Sequence, residues 1–208
     1  MTATAVPTTP YNDAAPSTRQ IFAANVRAEW TKLRSVRSTV WTLLATVGLA
    51  IGIGALIGAS QMTRWDHHDT PERLRFDPTS FSLSGLFLAQ LAVGVLGVLV
   101  VTSEYATGQI RATFSATPQR LIVLTAKATT FTGVVLATGL VSSFSAFFVG
   151  QAIFASKGLA AAIPAPGVLR AVFGGALYLT GIGLLGVGVG RLLRRTAGAT
   201  SALVALLF

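Results

Sequence analysis

The sequence predicts an all-α polytopic membrane protein, and three observations carry that prediction. Of the 208 residues, 52% are hydrophobic and 11% charged, against about 25% charged in soluble domains. The apolar residues gather into blocks of about twenty, the length a helix needs to cross the hydrocarbon of a bilayer. The basic residues fall between these blocks and form no single soluble face. A formal charge of +9 spread in this way offers no basic patch to nucleic acid, which excludes that partner. The absence of cysteine removes disulfides, thiolate metal sites and cysteine nucleophiles. Cations supplied mainly as arginine, with abundant alanine and glycine, are typical of GC-rich bacterial genomes.

Residues 1–19 carry Thr, Pro, Ala, Asn and Asp without periodicity and read as a disordered cytoplasmic tail. They are no secretory signal, because the first apolar block begins near Thr39 and is too long for one. Over 20–38 the pattern changes. Phe22, Val26, Trp30, Leu33, Val36 and Val40 recur at spacings of three and four, with Arg27, Thr31, Arg34 and Ser38 opposite. This predicts an amphipathic interfacial helix, with Trp30 at headgroup depth and Arg34 and Arg37 toward anionic lipid. The alternative is the solvated beginning of the first span. Glu29 falls on the apolar side and needs a partner or a lipid-edge position.

The transmembrane domain is expected over 39–208. Spans are placed at Thr39–Ser60, Phe81–Ser103, within Leu121–Ala155 (centred on 128–152) and at Val168–Gly190. Thr196–Phe208 would extend about 20 Å as helix, short of a hydrocarbon core of about 30 Å, and reads as an incomplete fifth span. Gly48, Gly52, Gly54 and Gly58 in the first span, and Gly186 and Gly190 in the fourth, have the spacing of close helix packing. The segments after the first and third spans hold Arg64, Arg73, Arg75, Lys157 and Arg170. The other lysines and arginines precede the first span, follow the second, or occupy 191–195. The positive-inside rule then places the N-terminus in the cytoplasm.

The segment 104–120, EYATGQIRATFSATPQR, lies on that side between two apolar blocks. Gly108 permits a sharp turn. Ile110, Thr113, Phe114 and Thr117 share a helical face, and Pro118 bounds it, so a short helix presented to the cytosol is expected. Its apolar face needs cover from lipid, the amphipathic helix or a cytosolic partner. Glu104, where the second span meets water, is expected to be solvated or to pair with Arg111, Arg34 or Arg37. Gln90 in the second span and Thr138, Ser142 and Ser145 in the third are candidates to line a pathway, or to hydrogen-bond between helices. Asp66, His67, His68 and Asp69 superficially suggest metal ligands. Adjacent residues on one short stretch rarely converge on one ion, and a solvated loop is the expectation.

The spacing of Glu104, Gly108, Ile110, Pro118 and Arg120 resembles that of the permease subunits of ABC-2 type exporters. EWTKLRSVRS, 29–38, is similar to the amphipathic connecting helix that such permeases carry before their first span. The resemblance implies the ABC-2 permease fold of six spans, of which this chain carries four and the start of a fifth, in a bacterial cytoplasmic membrane. It implies a second permease subunit, as homodimer or heterodimer, and separate cytosolic ATPase subunits that bind ATP and magnesium. These would dock on the segment after the second span, with Glu104, Gly108, Ile110, Arg111, Phe114, Pro118 and Arg120 as coupling residues. The chain itself has no G-x-x-x-x-G-K-[ST] phosphate loop, so hydrolysis is expected of the partner. Two other classes stay open. One is a membrane anchor or scaffold for a cytosolic partner. The other is an intramembrane enzyme, disfavoured because the spans hold no Asp or His and their sole Glu is at a boundary.

Overall fold

The computed structural model describes residues 17–67, 69–109, 115 and 119–208. Among them the secondary structure is helical throughout. Helix α1, Thr18–Ser35, opens with a capping box in which the Ser17 hydroxyl accepts from the Gln20 amide and the Gln20 side chain accepts from the Ser17 amide, satisfying two otherwise orphaned donors. It ends at Val36, whose extended backbone (φ −82°, ψ 108°) separates it from α2, Arg37–Arg64. The helix expected over 20–38 is therefore distinct from the first span, with the division at Val36.

A 3₁₀ turn, Trp65–His67, leads to two short helices, α3 (Thr70–Arg75) and α4 (Pro78–Leu83). Each has proline in its first turn, where the missing amide costs nothing. Helix α5, Leu86–Ala106, follows after Ser84 and Gly85. The expected uninterrupted span over 81–103 is thus broken near its start. A side chain at Gly85 would overlap the Ala50 carbonyl of α2, and the break lets the two backbones meet there. Helix α6, Arg120–Ala155, is continuous for 36 residues and outruns the expected block at its N-terminal end. Helix α7, Val168–Leu193, turns at Arg194 (φ 54°) into α8, Thr196–Leu207.

Four helical stretches, Arg37–His67, Pro78–Ala106, Leu121–Ala155 and Val168–Leu193, are long and apolar enough to cross a membrane, the signature of a multi-pass membrane protein. α5 packs along α7 and α2, and α6 packs along α7 and α2, so the spans close a ring in the order α2, α5, α7, α6. α1 lies on α6, and α8 in the groove between α5 and α7. The ring's centre holds Val93, Leu96, Phe131, Val135 and Val187 at one level and Ala50, Ala89, Ala146 and Leu179 at another. Trp41, Leu44 and Leu56 on α2 and Leu177 on α7 are more than half exposed, as suits surfaces solvated by lipid.

Lipid offers no hydrophobic drive to join helices, so association depends on close packing. Gly97 of α5 meets the Gly183 carbonyl of α7, and Gly186 meets the Gly94 carbonyl, each so closely that a Cβ would overlap it. Gly54, Gly58 and Gly190 also lie against neighbours. Gly48 and Gly52 do not: a side chain there would meet nothing within 4 Å. The expectation that all six glycines mediate packing is corrected for these two, which sit on the outward face of α2.

Candidate functional site

Four charged side chains meet where α1, the end of α5 and the start of α6 converge. Lys32 lies one turn after Glu29 on α1, and its ammonium donates to Glu29 Oε1 at 2.8 Å and to Glu104 Oε1 at 2.8 Å. Lys127 of α6 donates to Glu29 Oε2 at 2.6 Å and to Glu104 Oε1 at 2.9 Å. Each lysine bridges both carboxylates, closing a ring of net charge zero. The side chains of Glu29, Glu104 and Lys127 are only 5–6% exposed, whereas that of Lys32 is 40% exposed. Burial of three full charges is tolerable because each has two charge-assisted hydrogen bonds in place of water. Burial would lower the Lys32 pKa, but hydrogen bonds and charge from Glu104 and Glu29 outweigh it and hold the ammonium above its ordinary value.

These partners differ from the expected ones. Glu104 pairs with Lys32 and Lys127, not with Arg34 or Arg37, which are exposed. Arg34 lies five residues from Glu29, on another side of α1, whereas Lys32 at three residues shares its face. Lys127, read from sequence as part of a cytoplasmic loop, lies inside α6 and is 4% exposed. Trp30 is half exposed and lines an open groove with Val26, Arg27, Thr130, Gly133 and Val134.

The ring borders a cleft of about 330 Å³. Glu29, Lys32, Glu104 and Lys127 form one wall, Ser35 and Val36 with Ser38, Thr39 and Thr42 of α2 another, and Leu96, Leu99 and Val100 a third. Among the described residues, no side chain caps the first turn of α2. Just beyond the cluster α5 ends, and Gly108 (φ 71°) turns the chain with open space around its α-carbon. Ile110, Arg111, Phe114 and Pro118 lie outside the described residues, and Arg120 begins α6.

The candidate pathway residues have separate surroundings. Gln90 is buried and accepts a hydrogen bond from the Tyr178 hydroxyl of α7. Thr138 donates to the Val134 carbonyl of its own helix at 2.9 Å, Ser142 is buried with no hydrogen-bond partner among the described residues, and Ser145 is half-buried. At the opposite end of the bundle, Asp66 binds Lys157 at 2.9 Å, and His68 lies outside the described residues. Gln151, which the sequence did not single out, joins three segments there: it donates to Ser82 Oγ at 2.9 Å and the Pro78 carbonyl at 3.2 Å and accepts from the Ala161 amide at 2.6 Å.

Comparison of the chain with protein-family profiles, with curated proteins and with solved structures finds no match.

Proposed function

We propose that this chain is the membrane-spanning subunit of an ATP-binding-cassette exporter of the ABC-2 type, coupled through the segment after its second span to a cytosolic ATPase. The observation that carries the reading is the four-residue ring. It ties the helix preceding the first span to α5 and α6, the two helices that enclose 107–119. A push on that segment would reach α1, α5 and α6 together, because displacing any one of them breaks buried ion pairs. A motor subunit acting on a bistable membrane domain needs such a rigid point of application. The permease would supply two packed arrangements and the pathway, while its partner would bind ATP and magnesium.

The reading is tested by purifying the tagged chain from membranes in mild detergent and identifying what accompanies it. An ATPase with a phosphate loop is expected, in amounts comparable to the chain. Replacing Ile110, Arg111 and Phe114 together by alanine should abolish its recovery while leaving the chain in the membrane. Full retention of the ATPase by that variant would remove the docking assignment.

A further inference from the structure

The cleft beside the ion ring has unused bonding capacity of both kinds. Thr39 is 5% exposed and lines the cleft; its amide donates to the Val36 carbonyl at 3.0 Å, while its hydroxyl makes no hydrogen bond among the described residues. It sits in the first turn of α2, a 28-residue helix with no side-chain cap; the Thr39 and Val40 amides donate to the Val36 carbonyl, whereas those of Arg37 and Ser38 have no partner among the described residues, and these with the helix dipole favour a negative group. Lys32 gives two of its three N–H donors to carboxylates and is the half-exposed member of the ring. These features favour phosphate.

The opposite capacity lies in the same cavity. Glu104 uses Oε1 for both lysines, and its Oε2 accepts nothing among the described residues. Two carboxylates in the wall would repel a bare anion, and a neutral ring has no net pull on one. A ligand carrying both a phosphate and an N–H-bearing cation meets both ends of the site. The third wall, Leu96, Leu99 and Val100, is apolar and belongs to a helix that spans the membrane, so it suits the start of an acyl chain. We propose that the cleft is the headgroup site of a zwitterionic phospholipid with a primary ammonium, its phosphate at Lys32, Thr39 and the start of α2, and its ammonium at Glu104. The proposal does not depend on the transport reading.

The test uses the intact chain, purified in detergent, stripped of lipid, and offered equimolar phosphatidylethanolamine, its N-methylated derivatives, phosphatidylcholine and phosphatidylglycerol with the same acyl chains. Bound lipid is counted by native mass spectrometry. One phosphatidylethanolamine should be retained, with retention falling at each methylation as N–H donors are lost, and phosphatidylglycerol held less well. Thr39→Val, which keeps the side chain's shape, should weaken retention about tenfold, as expected for a lost hydrogen bond to a charged group. Thr39→Ser should restore it. Equal retention of all the lipids, or of phosphatidylethanolamine by wild type and Thr39→Val, overturns the assignment. Displacement of the lipid by inorganic phosphate would give the site to a soluble anion and overturn it as well.

Discussion

Lys127 has no water to return to: its ammonium is buried between the carboxylates of Glu29 and Glu104. Replacing it by methionine keeps the volume but leaves two carboxylates sharing Lys32. Such a broken buried pair costs about 3 kcal/mol or more. The double variant Glu29→Met with Lys127→Met leaves a neutral Lys32–Glu104 pair and should recover most of that loss. Thermal unfolding in detergent compares the three proteins; a double variant less stable than Lys127→Met would contradict the ring as described. Lys32 adds a pH dependence with a definite sign. Its pKa is raised in the folded protein, so its contribution is complete below the ordinary value of 10.5 and is lost as pH climbs through the raised one. Wild type and Lys32→Met should therefore differ in melting temperature at neutral pH and converge in strong alkali. Of this site, the sequence left Glu104 either solvated or paired with an arginine and Glu29 either partnered or at the lipid edge, and it pointed to neither lysine. Arginines outnumber lysines in both segments that meet at the site, 20–38 and 104–127, and Lys127 looked like a loop charge. The overlooked signal is its register: Val123, Ala126, Lys127, Thr130 and Phe131 fall at helical spacing and are all buried. A lysine on an apolar stripe implies a buried acid.

The α5–α7 contact rests on absent side chains. Gly97→Ala would push a methyl group into the Gly183 carbonyl, and overpacking of this kind costs about 1–3 kcal/mol. Gly52→Ala meets nothing and should be neutral or stabilising by about 0.5 kcal/mol, since alanine favours the helix. Unfolding of the two variants side by side checks both expectations, and equal effects would argue against this packing. The long spans were legible because a run of twenty uncharged apolar residues has few alternatives to a membrane helix. The break at 84–85 was not. Ser84 and Gly85 look ordinary inside an apolar block, and only the approach of Ala50 from α2 requires the chain to open there. Gly48 and Gly52 erred the other way, since spacing alone cannot say which face of α2 is covered.

The bundle has two chemically distinct ends. One holds the ion ring, with the Arg194 guanidinium over the Tyr105 ring at 5.7 Å. The other holds the Asp66–Lys157 pair and an aromatic group in which Phe76 lies 5.0 Å from Trp65, 5.0 Å from Phe81 and 5.3 Å from Phe154. The chain contains no cysteine, so single cysteines report cleanly on topology. Thr70→Cys and Arg195→Cys should react with an impermeant maleimide from opposite faces of sealed vesicles, and labelling of both from one face would refute the fold. Thr102→Cys with Thr196→Cys, whose hydroxyls are 3.0 Å apart, should cross-link on mild oxidation and tie α8 to α5.

Val36 has a consequence for how the molecule deforms. A single extended residue joins α1 to α2, so only one pair of backbone torsions articulates them. With α1 anchored by the ring at Glu29 and Lys32, within two turns of Val36, the first span has little freedom to swing alone: tilting it twists the anchored helix and loads the ion pairs like a crank against a stop. Two glycines inserted after Val36 would slacken that linkage while leaving both helices and all four charges in place.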